Sequence, residues 1–350
     1  MRESIFSSIV RAFFSGLFAL FGMIIGFILL IILLVAFVGS LTSTPSSTPD
    51  IEKKYSLQIM ANAQGERKQL AKTAPIILQV SIQGVIGMED LSAENIRRLL
   101  MESREGDFAK DRVKGILLLI NSPGGTVTDA AGIYHALKTY KERYQIPVYA
   151  YVNGLCASGG MYVACAADQI YTSDASAVGA IGVILPPFLN FSKLIEKMGV
   201  DALTLYAGTG KDEMNPLRPW KPGEQDNLQT LIDYFYKDFV NVVTTNRPEV
   251  NKELLIKEYG ASIFSPPTAL AHGLIDGTNY SLEKALEKLV LSAGITDNTY
   301  QVIELHHDNW YNTLFQSRSS LLGGKMTHQL QLFSDIPPEC TNKFLYLYRP

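Results

Sequence analysis

The chain has 350 residues, 47% of them hydrophobic and 19% charged, and a formal net charge of −3 at pH 7. This composition is too apolar and too balanced in charge for a disordered protein. A pI of about 6.0 gives no global basic field, so nucleic acid is not an expected partner. Three cysteines are too few for a disulfide scaffold.

The first fifty residues differ in composition from the rest. Their charged residues are only Arg2, Glu3, Arg11 and Asp50. Residues 12–38 form an almost entirely apolar run, long enough to cross a hydrocarbon core of about 30 Å. We predict a retained transmembrane anchor. A cleaved signal peptide is the alternative, although its apolar region spans only roughly 7–15 residues.

The flanks of this run predict its orientation. Residues 1–11 carry the two arginines and residues 39–49 carry no charge, so the positive-inside rule places the N-terminus in the cytoplasm. The remaining chain is then expected on the extracytoplasmic side.

Strand-like and helical patterns alternate beyond residue 75, which predicts a parallel sheet in an α/β domain. Strands are predicted over 75–82, 115–120, 147–152 and 169–171, with a further strand-like run at 202–206. Helices are predicted over 92–103, 129–144, 159–167, 191–198, 224–244, 252–259, 267–272 and 282–292. We therefore place one compact domain at 75–292, a linker at 39–74 and a tail at 293–350.

Two glycine-containing turns follow predicted strands. Asn121–Gly125 is the first, and its glycines would allow free amides to approach a ligand or a developing oxyanion. Cys156–Tyr162 is the second, and Ser158 in it would lie at a helix N-terminus with an accessible hydroxyl. The alternatives are an ordinary tight turn for the first and a helix N-cap for Ser158.

A nucleophilic serine requires a base. The histidine positions give little support to a Ser-His-Asp arrangement, since none lies between Ser158 and His272. A lysine can act as a base when desolvation lowers its pKa, and Lys211 directly follows a third glycine-containing stretch, Gly208–Gly210. A solvated surface charge is the alternative for Lys211. Because the sequence has no C-x-x-C or H-E-x-x-H pattern, we expect neither a metal nor a cofactor.

These stretches, in this order, resemble the signal peptide peptidase A (protease IV) and SohB family, in its half-size single-repeat form. The stretches are Asn121–Gly125, Ala157–Gly160, Ala166–Asp168, Gly179–Val183, Gly208–Asp212 and Ala271–Asp276. The resemblance covers residues 75–290 approximately and includes the preceding anchor.

The resemblance implies a Clp/crotonase-like superhelix of β-β-α units and a Ser/Lys catalytic dyad. Carried over by position, Ser158 is the nucleophile, Lys211 the general base, and the amides of Gly125 and Gly159 the oxyanion donors. It also implies peptide substrates such as cleaved signal peptides, a homo-oligomeric ring or dome, and a bacterial inner membrane location with the catalytic domain periplasmic. Ala180 departs from the pattern, since relatives are expected to carry a small hydroxyl residue there.

Two other functions remain open on the same fold. One is a crotonase-type acyl-CoA enzyme, against which the membrane span and the spacing from Ser158 to Lys211 argue. The other is a non-catalytic membrane scaffold, which the presence of both residues disfavours. Cys156 and Cys165 flank the serine, either as redox-sensitive thiols or as small buried packing residues.

Overall fold

A computed structural model of the chain describes residues 5–42, 55–88, 90–307 and 344–348. The chain divides into two units, Met1–Lys53 and Lys54–Pro350. The first contains helix α1 (Ile5–Thr42). Within it, Phe14–Ile31 has a mean hydropathy of 2.6 and no buried residue, so by length and composition α1 can cross a membrane. The predicted apolar helix is confirmed, with bounds wider than 12–38.

The second unit is built on a sheet of eight described strands in the order β1-β9-β2-β3-β5-β7-β8, with β6 paired to β5. A separate two-stranded sheet joins β10 to β4. The strands are β1 (Tyr55–Met60), β2 (Ile76–Gln83), β3 (Val113–Ser122), β4 (Gly124–Thr126), β5 (Val148–Ala157), β6 (Gln169–Thr172), β7 (Ala177–Gly179), β8 (Ile263–Phe264), β9 (Gln301–His307) and β10 (Leu345–Leu347).

Helices cover both faces of this sheet. They are α2 (Ala93–Glu102), α3 (Val127–Tyr144), α4 (Gly159–Ala164), α5 (Ser192–Lys197), α6 (Asp226–Asn246), α7 (Lys252–Leu254), α8 (Pro266–Ala271) and α9 (Leu282–Ser292). Single turns lie at Gly106–Phe108 and Leu255–Tyr259.

The central strand β3 shows why the sheet is buried on both sides. Ile116 and Leu118 belong to the larger core cluster, which contains residues of α2, α3 and α4. Leu117 belongs to the second cluster, with Leu286 and Leu289 of α9. Successive side chains of a strand point to opposite faces, so an unbroken apolar run fits a strand that is covered twice.

The predicted α/β class is confirmed. Strands β2, β3, β5 and β6 pair in parallel, and β3, β4 and α3 form one β-β-α unit. The predicted strand at 202–206 is wrong, because the segment is irregular. Leu203 and Leu205 are 84% and 86% exposed, and none of the described strands pairs with this segment. Strand β1 lies inside the predicted linker and β9 inside the predicted tail, so the sheet extends beyond 75–292 at both ends.

Candidate active site

Ser158 occupies the turn between β5 and α4. Its backbone has φ +54° and ψ −116°, a conformation that side-chain-bearing residues adopt only under strain and often at functional sites. The Ser158 amide donates to the Gly179 carbonyl at 2.9 Å, and the Tyr162 amide donates to the Ser158 carbonyl at 3.0 Å. Ser158 occupies the N-cap position of α4, but its side chain makes no capping hydrogen bond.

The glycine turn at 121–125 depends on close backbone approach. Gly124 has φ +98°, and a Cβ added to Gly125 would lie 1.9 Å from the Ile86 carbonyl oxygen. The Ile86 amide donates to the Gly124 carbonyl at 2.8 Å, and the Thr126 amide donates to the Ile86 carbonyl at 3.0 Å. Both glycines are therefore required sterically, and Ile86 occupies one edge of β4.

The two turns meet. A Cβ built on Gly124 would lie 2.7 Å from the Gly159 nitrogen, and one on Gly159 would lie 3.2 Å from the Gly125 nitrogen. The structure thus brings Ser158, Gly125 and Gly159 together, an arrangement that the family resemblance implies. A pair of backbone amides beside a serine on a sharp turn can hold a negatively charged oxygen during acyl transfer.

Lys211 is not part of this cluster in the single chain. It is exposed, and its amide donates to the Gly208 carbonyl at 3.3 Å. Within the described part of the chain, no hydrogen bond or ion pair joins its side chain to Ser158 or to another residue. The carboxylate of Asp212 beside it is paired with Arg218 at 2.5 Å, and this pairing lowers the pKa of Asp212.

Ala180 and the two cysteines lie close to the serine turn. Ala180 is buried, has φ +54° and donates through its amide to the Ser262 carbonyl at 2.8 Å. Cys156 and Cys165 are both buried and unpaired. Burial raises the pKa of the Cys165 thiol to about 12 and raises that of Cys156 as well. Their burial favours the interpretation of both thiols as packing residues.

Sequence analysis missed a contributor to this region, the C-terminal segment. Strand β10 pairs antiparallel with β4, with Tyr346 opposite Gly125, and Leu345 bridges Ile184 on its other side. The alternation of aromatic and aliphatic residues from Phe344 to Tyr348 is the signal that could have identified a strand.

A well-defined cavity lies elsewhere in the second unit. It has a volume of about 730 Å³ and is lined by residues of β2 and β9, among them Gln79, Ser81 and Glu304. Ser158, Gly125 and Lys211 do not line it. Across residues that the structure describes, no group of three His, Cys, Asp or Glu could hold a metal ion.

Comparison with known proteins identifies the family. The sequence pattern of peptidase family S49 matches residues 140–296. A protein of Enterococcus faecium named signal peptide peptidase SppA is 31% identical over 289 residues, covering 78% of this chain and 80% of that protein. The chain belongs to peptidase family S49. It is therefore a serine peptidase, and peptides are its substrate class.

Other similarities span shorter stretches of this S49 peptidase. A protease of Methanocaldococcus jannaschii is 37% identical over 193 residues, covering 54% of this chain and 60% of that protein. The pattern of an NfeD1b N-terminal domain matches residues 88–186. Among solved structures, a membrane-bound stomatin-specific protease in complex with a substrate peptide aligns with a TM-score of 0.40 and 16% identity, covering 72% of this chain and 100% of that one.

Proposed function

We propose that this S49 peptidase is a membrane-anchored endopeptidase that uses Ser158 as nucleophile and Lys211 as general base. The observation that carries the proposal is the strained backbone of Ser158 beside the amides of Gly125 and Gly159. A strained strand-to-helix turn presents a serine hydroxyl in the manner of a nucleophile elbow, and in the sequence no histidine lies between Ser158 and His272.

Lys211 is exposed in the single chain, whereas Ser158 is only 1% exposed. The segment 198–206, which precedes Lys211 in the chain, exposes the side chains of Met198, Leu203 and Leu205 by 68%, 84% and 86%. Neighbouring exposed apolar side chains favour a protein–protein contact. We therefore propose a homo-oligomer in which this segment packs on a neighbouring subunit and delivers Lys211 to the neighbour's Ser158.

The proposed reaction is acyl transfer through a covalent intermediate. The neutral Lys211 amine takes the Ser158 proton while Oγ attacks the peptide carbonyl carbon. The amides of Gly125 and Gly159 stabilise the resulting oxyanion, each contributing about 2.7–4 kcal/mol in comparable sites. The ammonium then protonates the leaving amine, and water hydrolyses the acyl-enzyme to regenerate the Ser158 hydroxyl.

Helix α1 supports the proposed location and substrate class. Among the described residues, α1 is the one helix long and apolar enough to cross a membrane. Its apolar run follows the two arginines of residues 1–11, which favours a single-pass protein with its catalytic unit on the periplasmic side of the bacterial inner membrane. Peptides released into that membrane, such as remnant signal peptides, are the proposed substrates.

Covalent labelling tests the proposal. The detergent-solubilised full chain should react with a fluorophosphonate and cleave a membrane-derived peptide, while Ser158→Ala should lose both properties. Lys211→Met should lose more than about 99% of the peptidase rate, as expected when a base acts within a catalytic unit. Full activity in either variant would reject the dyad. Turnover of acyl-CoA by the unmodified chain, without peptide cleavage, would favour the crotonase-type alternative.

A further inference from the structure

Strands β2 and β9 pair over only part of their lengths. Their parallel pairing ends where Gln79 lies opposite Glu304. Beyond that pair β2 continues to Gln83 beside β3, and β9 continues to His307 beside β1. The cavity of about 730 Å³ opens where the two strands separate, since it is lined by residues of both strands beyond the last pair. Small-molecule sites in proteins have volumes in the same range, about 300–1,000 Å³.

Glu304 contributes a buried carboxylate to the wall of this cavity. The residue is 6% exposed. Its Oε1 accepts from the Ser81 hydroxyl at 2.5 Å, and its Oε2 accepts from the Gln79 side-chain amide at 2.9 Å. Both donors are neutral. An ionised carboxylate has about four acceptor positions, so these bonds, which the described residues supply, occupy about half of them.

Little positive charge faces this carboxylate. Among the described residues that line the cavity, none is Lys or Arg, and Asp90 is a second acidic residue. His306 Nε2 lies 3.7 Å from Glu304 Oε2, and the His306 side chain is 47% exposed. That distance is too long for a hydrogen bond. Because a buried carboxylate is costly without a closely paired cation, the cavity favours a cationic ligand.

Much of the remaining wall is apolar. It includes Met60 of β1, Leu119 of β3, and Ile96 and Leu99 of α2. An inorganic cation would leave these side chains uncovered, whereas an alkyl chain would bury them and gain the corresponding hydrophobic free energy. The lining therefore favours a cation that carries an apolar chain.

We propose that this cavity binds a primary ammonium carried on an apolar chain, with Glu304 as the counter-ion. An ammonium has three donors, which match the free acceptor positions of the carboxylate, while the chain packs on Leu99 and Leu119. A free alkylamine and a lysine side chain of a peptide share this chemistry. Neither Ser158 nor Lys211 lines the cavity, so the inference does not depend on the proposed peptidase function.

One segment of the wall connects the cavity to the glycine turn. Gly84 lines the cavity, and its amide donates to the Asn121 carbonyl at 3.0 Å. The Gly84 carbonyl accepts from the Ser122 hydroxyl at 2.7 Å. The cavity therefore adjoins the proposed oxyanion turn, which is why a lysine-bearing peptide is tested beside a free amine.

Binding of three hexyl compounds to the detergent-solubilised full chain tests the inference. At pH 7 hexylamine is a cation, hexanol is neutral and hexanoate is an anion. Calorimetry should give hexylamine an affinity about 10-fold or more above that of hexanol, with hexanoate the weakest, because its hydrogen bonds to Glu304 are charge-assisted. Glu304→Gln should reduce the hexylamine affinity to that of hexanol, and Glu253→Gln, at an exposed position, should leave it unchanged. Equal affinities for the three compounds would overturn the inference.

Methionine methyl NMR locates the ligand without any substitution. Met60 and Met88 line the cavity, whereas Met198 does not and is 68% exposed. Hexylamine should shift the ε-methyl resonances of Met60 and Met88 and leave that of Met198 unchanged. Unchanged Met60 and Met88 resonances at saturating hexylamine would overturn the inference, as would a folded Glu304→Gln chain that still prefers hexylamine to hexanol.

Two quenched peptides that differ only in lysine or norleucine at one position identify the source of the ammonium. Competitive inhibition by hexylamine of the lysine peptide alone would support a substrate lysine as the ligand. Saturable hexylamine binding that changes neither KM would support a free amine at the same site. Ser158→Ala should bind hexylamine as tightly as the unmodified chain, so loss of the proposed peptidase function would leave the binding result standing.

Discussion

The Ser158 amide donates a hydrogen bond of 2.9 Å to the Gly179 carbonyl, which ties the turn of the proposed nucleophile to the end of β7. Gly179 has φ +136°, and a Cβ added to it would lie 2.4 Å from the Ser262 carbonyl oxygen. The position of Ser158 therefore depends on a residue that tolerates no side chain.

Gly179→Ala is expected to lower both stability and labelling rate. The unfavourable backbone conformation alone costs on the order of 1–3 kcal/mol, and the contact with Ser262 adds to it. Gly65→Ala is the control, since Gly65 has φ +77° but nothing within 4 Å of its added Cβ. Urea unfolding gives the free-energy loss, and the fluorophosphonate reaction reports on Ser158. Equal losses in both variants would show that the Ser262 contact is unimportant.

Arg247 is a buried cation, so removal of its partner Asp276 should destabilise the domain. Arg247 is 5% exposed, its guanidinium lies 2.8 Å from Asp276 Oδ2, and that oxygen also accepts from the Ile170 amide at 2.7 Å. Asp276→Ala leaves a buried guanidinium unpaired, so we expect a loss of about 3 kcal/mol or more in the free energy of unfolding.

An exposed pair in the same domain provides the comparison. Lys257 and Glu253 are 2.6 Å apart with side chains 68% and 71% exposed, so Glu253→Ala should cost less than about 1 kcal/mol. If chemical denaturation gave similar losses in the free energy of unfolding for Asp276→Ala and Glu253→Ala, burial of Arg247 would not explain the loss in Asp276→Ala.

The sequence predicted the parts of the fold that follow from local pattern. The unbroken apolar run of β3 indicated a strand covered on both faces, and helix α9 was predicted with its observed bounds. Gly124 and Gly125 indicated a turn that allows close backbone approach, and only the family resemblance implied that Gly159 acts beside it. The position of Tyr346 could not be predicted, because it depends on strand pairing with Gly125, more than 200 residues earlier in the chain. The position of Lys211 relative to Ser158 could not be predicted either, because Lys211 lies exposed on an irregular segment.

The thiols of Cys156 and Cys165 should make the free energy of unfolding decrease as the pH rises into the alkaline range. Burial raises the pKa of both groups in the folded state, to about 12 for Cys165. The unfolded chain loses these protons above about pH 8.5 while the folded chain keeps them. The two thiols should therefore leave the free energy of unfolding unaffected below that pH and lower it above, by up to about 1.4 kcal/mol per pH unit for each thiol.

Denaturation at pH 7 to 10.5 measures this slope. Cys165→Ala should reduce it, in a Cys340→Ser background that removes the third thiol. Iodoacetamide should also modify the folded protein far more slowly than the unfolded chain at pH 8. Rapid labelling of native Cys156 or Cys165, or an unchanged slope in Cys165→Ala, would contradict the assignment of buried packing thiols.

Helix α1 should anchor the protein through its apolar length alone. Arg at the centre of a spanning helix costs roughly 2.5–3.5 kcal/mol per residue on insertion scales, so Ile24→Arg with Leu29→Arg should release protein from membranes. Ile24→Leu with Leu29→Ile preserves hydropathy and should be retained. Alkaline carbonate extraction followed by immunoblotting distinguishes the two. Retention of the double Arg variant would mean that the catalytic unit binds the membrane by itself.

The exposed segment before Lys211 should control assembly and activity together. Leu203 and Leu205 are 84% and 86% exposed, so Leu203→Asp with Leu205→Asp should leave the fold of the single chain intact. If the segment packs on a neighbour, the same change should shift the oligomer to smaller species in light scattering and abolish peptide cleavage. An unchanged oligomer with full activity would contradict the proposed delivery of Lys211 between subunits.

Mixing two inactive variants gives a direct measure of that delivery. Ser158→Ala subunits keep Lys211, and Lys211→Met subunits keep Ser158. In a head-to-tail ring with random assembly, about a quarter of the sites combine an intact serine with a neighbour's intact lysine. Peptide cleavage should therefore recover to about a quarter of the unmodified rate after the two variants are dissociated and reassembled together. If both residues had to come from one chain, no mixture would regain activity, because every subunit lacks one member of the dyad.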